Sequence, residues 1–429
     1  MIGAVTRDFL EAKRIQLDAR AGRLSQLTPR QVGLRPQDTP FSPSADHFRA
    51  ANRRLADISR RIARRLKHLN RIWSSRATEP KLIAAAMLER EIDRARRSFG
   101  MFFEIFSQRG SSFARALAAH DTIAADCYRA VRAAAPDLFA GRLLKPVTYM
   151  EHGYSPATQR RGVQLARLLG DRNPFPVIRI PWDRDNPWQA VFLHEVAHNL
   201  QADMGLWQEN QSAVANRMMG ATRDPAIVSI FRRWHKEIFA DLAAILLGGP
   251  TSAAGMMNFL SHPSPRTLTY RPGGAHPTGY LRAFILAEMM ERIGFGQDAA
   301  NARRIWRDLY DPRRGHRLPV GLLRLSGRAI PAVVDEIAFQ PRRSLGQRAL
   351  VDVLPFRRDD QVAIRRGAIE LAAGRMPADL PPRFLVSASA LALAAGAPAA
   401  ELSNRVILHL SNQAAAERDQ PRTWLAAAA

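Results

Sequence analysis

Asn186-Pro187-Trp188-Gln189-Ala190-Val191-Phe192-Leu193-His194-Glu195-Val196-Ala197-His198-Asn199-Leu200 is the stretch on which the reading of this chain turns. On an α-helix His194 and His198 lie one turn apart on the same face, so both imidazoles can reach one metal ion. Glu195 falls on the adjoining edge, placed to hydrogen-bond a metal-bound water without becoming a ligand, which is the arrangement a zinc hydrolase needs. The flanks predict a helix independently of the histidines. Asn186 reads as N-cap, Pro187 as the first helical residue, Gln189 as the side chain that reaches back, and Gly205 as the stop. The alternative for the same string is two satisfied histidines on a half-buried helix.

A catalytic zinc takes three protein ligands and keeps a fourth position for water, so the histidines need one more partner. The single cysteine, Cys127, rules out an internal disulfide and leaves histidine and carboxylate as the building material. Further along, Asp224-Pro225 predicts an N-cap and first-turn proline, opening a long helix to Leu247 that Gly248-Gly249-Pro250 ends. On that helix Ile230, Trp234, Glu237, Asp241 and Ala244 share one face. Two carboxylates on a largely apolar stripe call for a cation or a donor nearby. Glu237 is the candidate third ligand, and Asp241, one turn on, would accept the free ring N–H of a ligand histidine. The competing reading pairs both carboxylates with arginines. Asp203 is rotated away from the histidine face, and Gln201 and Met204 stand where another zinc-peptidase pattern requires glycine and histidine.

With these two helices the chain resembles the gluzincin metallopeptidases, which join an HExxH helix to one carrying Glu-x-x-x-Asp, here Glu237-Ile238-Phe239-Ala240-Asp241. Within them it is most similar to the branch of the CAAX prenyl endopeptidases and HtpX, where a His-Pro is followed, six residues after the histidine, by an arginine. His276-Pro277-Thr278-Gly279-Tyr280-Leu281-Arg282 has that spacing, and the resemblance implies that His276 and Arg282 border the active site. His262-Pro263-Ser264-Pro265-Arg266 is a rival with a different arginine spacing. The resemblance spans about residues 175–282. The chain departs from that branch in lacking a clean apolar span of about 20 residues, so no membrane-embedded substrate is implied.

The rest of the chain frames this centre. With 429 residues, 46% of them hydrophobic, it can bury a sizeable core. Residues 1–45 mix a charged helical pattern with Pro36, Pro40 and Pro43 and read as a flexible arm. Leu55, Ile58, Ile62, Leu66, Leu69 and Trp73 recur at helical spacing among arginines, and helices continue over 79–110 and 111–135, giving a helical N-terminal domain at 46–145. A zincin-like domain is expected at 146–299 and a helical region at 300–429. Strands are predicted at Pro146–Met150 and Phe175–Pro181, with a helix from Ser155 through Leu169 between them. The prolines around Val177–Ile180 place that strand at a sheet edge, where it could pair with an extended peptide.

The expected fold is therefore mainly α (α+β), with a small edge-stranded sheet in the catalytic domain and helical regions on either side. The expected function is zinc-dependent peptide-bond hydrolysis on a protein or peptide substrate. Zn2+ would be held by His194, His198 and Glu237, with Glu195 as general base and His276, Arg282 or Tyr280 stabilising the oxyanion. No charged n-region followed by an apolar core opens the chain, so a cytoplasmic protein is expected. The net charge of +24 is almost all arginine spread along the chain, which favours a solvated basic surface over a dedicated nucleic-acid site. The alternatives are a non-catalytic zinc-fold binding protein and a nucleic-acid-associated protein, the latter distinguished by arginines clustered on one face.

Overall fold

The structure, a computed structural model, describes residues 3–22, 26–75, 77–139, 143–151, 157–159, 174–182, 186–313 and 318–418. Contacts divide the chain into two compact units, residues 1–114 with 162–175, and residues 115–161 with 176–429.

The first unit is built on α1 (Ala4–Ala21), α2 (Ala45–Trp73) and α3 (Thr78–Ser107). The helical repeat seen in the sequence is the buried face of α2: Ile58, Ile62 and Leu69 pack with Ala84, Ala85, Leu88, Ile92 and Ala95 of α3. The small alanines let the two helices approach closely, and each buried leucine or isoleucine contributes about 1.5–3 kcal/mol. The first 45 residues differ from the expected arm. They contain α1, which buries Leu10 and Leu17, and Leu17 joins the same core. Glu11 also accepts a hydrogen bond from Trp73 Nε1 at 2.7 Å.

The second unit contains α4 (Ala114–Ala134) and a three-stranded sheet of β1 (Val147–Glu151), β2 (Ala157–Gln159) and β3 (Val177–Pro181), in the order β1-β3-β2. β1 runs parallel to β3 and β2 antiparallel to it. The mainly helical class with one small sheet is as expected, but two details of the sheet are not. β3 is the central strand, so the edge position inferred from its prolines is wrong. Pro176 precedes the strand and offers its carbonyl to Val147 N at 3.0 Å, while Pro181 is the last residue, opposite Glu151. Neither proline removes an interior donor, and Val177–Ile180 keep their N–H groups for the ladder. Secondly, residues 157–159 form β2 within the helix expected from Ser155 to Leu169, the remainder of which lies outside the described residues.

After the sheet come α5 (Val191–Asp203), α6 (Leu206–Thr222), α7 (Pro225–Gly248) and α8 (Pro250–Leu260). A single helical turn follows at Ser264–Thr267. Then come α9 (Gly279–Arg292), α10 (Gly296–Leu309), α11 (Val320–Val334), α12 (Arg358–Ala372), α13 (Pro382–Ala394) and α14 (Ala399–Arg418). The hub is α7, which packs on α5, α6, α8, α9, α11 and α13. Every residue from Glu237 to Gly248 is buried, as a helix apolar on all sides requires. Its ends are those the sequence specifies: Asp224 accepts from Ala226 N at 2.9 Å and Ile227 N at 3.3 Å, and Gly249 adopts φ 73° before Pro250 opens α8.

The start of α5 differs from expectation by four residues. Asn186–Gln189 forms a turn, closed by Gln189 N to Asn186 O at 3.3 Å, and the helix begins at Val191 without a side-chain cap. The Asn186 side chain is engaged elsewhere, accepting from Ser403 Oγ at 3.5 Å. Among the described residues no helix is long and apolar enough to cross a membrane.

Candidate metal centre

α5 and α7 run antiparallel, and the four-residue spacing within each brings His194 opposite Asp241 and His198 opposite Glu237. His194 Nε2 is 3.4 Å and His198 Nε2 is 3.5 Å from Glu237 Oε2. The two imidazoles meet nearly at right angles, with ring centroids 4.7 Å apart. All three side chains are buried and offer ligand atoms close enough to hold one metal ion. Donor atoms set tetrahedrally about 2.0–2.1 Å from a zinc ion are about 3.3–3.4 Å from one another, so the histidine–glutamate spacings match the donor set zinc takes.

Behind His194, its Nδ1 lies 2.8 Å from Asp241 Oδ1. A carboxylate facing Nδ1 favours the tautomer protonated there and turns Nε2 toward Glu237, the arrangement a ligand histidine needs. Asp241 is itself clamped by Arg282, which donates from Nε to Oδ2 at 2.8 Å and from Nη2 to Oδ1 at 2.6 Å. Both residues are buried, and Nη2 also lies 3.5 Å from Met256 Sδ. The two readings of Asp241 taken from sequence, a histidine partner and an arginine partner, are thus both present in one carboxylate.

This packing shifts the ionisation of the cluster. Burial alone would push the His194 imidazole down, but the charge and hydrogen bond of Asp241 prevail and raise it to about 9. Burial would likewise raise Glu237, yet the His194 and His198 rings, by hydrogen bonding and charge, hold it well below the ordinary carboxylate range. Asp241 is lowered against its own burial by Arg282 and then His194.

The remaining residues singled out from sequence fall as follows. Glu195 is buried on α5, and its charge is felt by Arg282. His276, on the segment leading into α9, places Nε2 3.3 Å from Glu237 Oε2 with its side chain 66% exposed. It is the one histidine of the group open to solvent. His262 instead lies in the α8 turn, where its carbonyl accepts from Thr267 Oγ1 at 3.0 Å and from the Tyr310 hydroxyl at 2.8 Å. Tyr280 packs its ring against Phe284, 5.0 Å between centroids, in the core side of α9.

Lys236 escaped the sequence reading, and Gln201 entered it only as a mismatch to another zinc-peptidase pattern. Lys236 Nζ is 3.8 Å from Glu237 Oε1 and 5.6 Å from the Trp207 ring centroid. Gln201, one turn beyond His198 on the same face, is wholly buried, and neither end of its amide has a hydrogen-bond partner among the described residues. Its spacing of three from His198 was the available signal, since it puts a polar side chain on the histidine face. No family model, curated protein or solved structure matches this chain, so the centre is interpreted from its own geometry.

Proposed function

We propose that the protein is a zinc-dependent metallopeptidase of gluzincin type. The observation that carries this reading is the convergence of two imidazole nitrogens and one carboxylate oxygen at tetrahedral-edge distances, with a buried carboxylate behind His194. His194, His198 and Glu237 would hold the zinc, which when bound supplies a Lewis acid that polarises a scissile carbonyl and lowers the pKa of water. Glu195 takes the proton of the attacking water and returns it to the leaving amine. Asp241 keeps His194 in one tautomer, and Arg282 holds Asp241 in place and balances its charge. His276, exposed at the edge of the site, donates to the carbonyl oxygen as charge develops there. A cluster serving structure alone would have no use for a glutamate beside the ligands and a solvent-facing histidine.

The test is metal analysis of the purified protein paired with cleavage of casein. Wild type is expected to carry one zinc and cleave; His194→Ala and His198→Ala lose the metal; Glu195→Gln keeps zinc and fold but cleaves at least about a hundredfold more slowly. Stoichiometric zinc in both histidine variants would sink the site. Undiminished cleavage by Glu195→Gln would sink the mechanism, and zinc without any cleavage would favour the non-catalytic binding protein.

A further inference from the structure

The charge of the chain is unevenly held. Residues 1–114 carry 23 lysines and arginines against 11 aspartates and glutamates, a net of +12, so half of the chain's +24 lies on about a quarter of its length. Within that stretch α2 concentrates nine cations against two carboxylates, Asp46 and Asp57. Its apolar face is committed to α3 and α1. The opposite face displays Arg53, Arg60, Arg64, Lys67 and Arg71, all exposed. At intervals of seven, four, three and four residues they fall within about 60° of one another around the helix, in a straight row about 27 Å long at 1.5 Å per residue.

Local neutralisation reaches one member of this row, Arg60, and leaves the other four. Asp46 pairs with Arg49 and Asp57 with Arg60, whereas Arg53, Arg64, Lys67 and Arg71 make no ion pair with any described residue. Four like charges held on one rigid face repel one another, and an anionic partner with regularly spaced charge relieves that repulsion. We propose that this face of α2 binds the phosphodiester backbone of a nucleic-acid duplex.

Three features favour a duplex over other anionic surfaces. The α2 face carries no exposed large apolar side chain, which a helix lying in a membrane interface needs. Aromatic residues are absent from it as well, so it has no stacking platform for single strands. The row is straight, rigid and mostly arginine, whose fork suits phosphate oxygens. Such contacts position a protein on the backbone without reading sequence. The proposal rests on α2 alone and is independent of the metal centre.

The experiment titrates the full-length protein into fluorescein-labelled 30-base-pair DNA and RNA duplexes by anisotropy at 50, 100 and 200 mM salt. It compares wild type with a variant carrying Arg53→Gln, Arg64→Gln, Lys67→Gln and Arg71→Gln. Four lost phosphate contacts should reduce the salt slope of log K by about 3.6 and weaken binding at 50 mM salt at least about a hundredfold, for both duplexes. A control with Arg324→Gln, Arg328→Gln, Arg365→Gln and Arg366→Gln removes the same charge from exposed positions on α11 and α12, and should retain most of the affinity and slope. Thermal melts check that each variant folds; should the fourfold variant fail to, Arg53→Gln with Arg71→Gln is expected to lower the slope by about two. Equal losses in both fourfold variants, absence of duplex binding at 50 mM salt, or tighter binding to phosphatidylserine-containing vesicles than to duplex would each overturn the proposal.

Discussion

The bond between Asp241 and Arg282 permits a quantitative test of how the centre is held. Asp241→Asn keeps the shape of the side chain but removes its charge and replaces one acceptor with a donor. The carboxylate accepts from Arg282 Nε at 2.8 Å and from Arg282 Nη2 at 2.6 Å, and faces His194 Nδ1 at 2.8 Å. The least costly amide orientation puts its NH2 group against Arg282 Nε, losing that bond and leaving a buried guanidinium without a counter-charge. Breaking a buried pair from one side costs about 3–5 kcal/mol. Exchanging the carboxylate partner of a ligand histidine for a neutral amide should weaken metal affinity by about 10-fold or more. Arg282→Met, of similar length, should destabilise comparably by stranding Asp241, while the double variant removes both charges. Urea denaturation of the metal-free proteins should therefore show the double variant at least about 2 kcal/mol more stable than the sum of the single effects predicts. Zinc competition against a chelator should show weakened affinity wherever Asp241 is changed. Additive destabilisation, or unaltered zinc affinity in Asp241→Asn, would refute the account of Asp241 as a shared clamp.

Three further outcomes follow from other residues. His276→Ala should retain zinc and lose about a hundredfold in turnover on casein, while His262→Ala, on the α8 turn, cleaves at close to the wild-type rate; the reverse pattern would move the exposed histidine's role to His262. Gly249→Ala forces a non-glycine side chain to φ 73° and drives its Cβ into the Phe356 ring, so urea denaturation should show a loss of about 2–4 kcal/mol, against near neutrality for Gly296→Ala, where space is open. Glu209 accepts from Arg343 N at 2.8 Å and Ser344 N at 3.0 Å; against its partial burial, these bonds hold its carboxyl below the ordinary 4.5. Its contribution is present above that value and lost as pH falls through the folded one, so Glu209→Gln should cost about 1–2 kcal/mol at pH 7, with the gap from wild type closing as denaturation is repeated in acid.

What could be read from sequence was whatever local chemistry decides. The limits of α7 were legible because Asp224-Pro225 and Gly248-Gly249-Pro250 act on their own backbone, and the buried face of α2 because its period is that of a helix. Strand order was not legible. β3 pairs with β1 thirty residues away, Val147 against Val177, and with β2 on its other side, and no signal within Val177–Pro181 encodes which neighbours arrive. The start of α5 failed for a related reason. A capping side chain works only if it is free, and Asn186 meets Ser403 from a helix two hundred residues further on.

The metal centre divides along the same line. Once two helices pack antiparallel, residues whose numbers have a constant sum face each other, and 194 with 241 and 198 with 237 share one sum. Four-residue spacing on both helices therefore yields two rungs about 6 Å apart along the axes, His198 with Glu237 and His194 with Asp241. His194 joins them, because its two ring nitrogens point to different rungs, Nε2 to Glu237 and Nδ1 to Asp241. A carboxylate one position away from 237 would be turned by about 100° and miss the histidines, so the spacing in sequence already carried the grouping of His194, His198 and Glu237. Arg282 could not be obtained this way. It lies 41 residues beyond Asp241, and only the packing of α9 on α7 brings its guanidinium to the far side of that carboxylate. With its carboxylate shared between a histidine and an arginine, Asp241 ties the position of a ligand to the position of α9. A change that shifts α9 should then register as altered metal affinity before it alters any ligand.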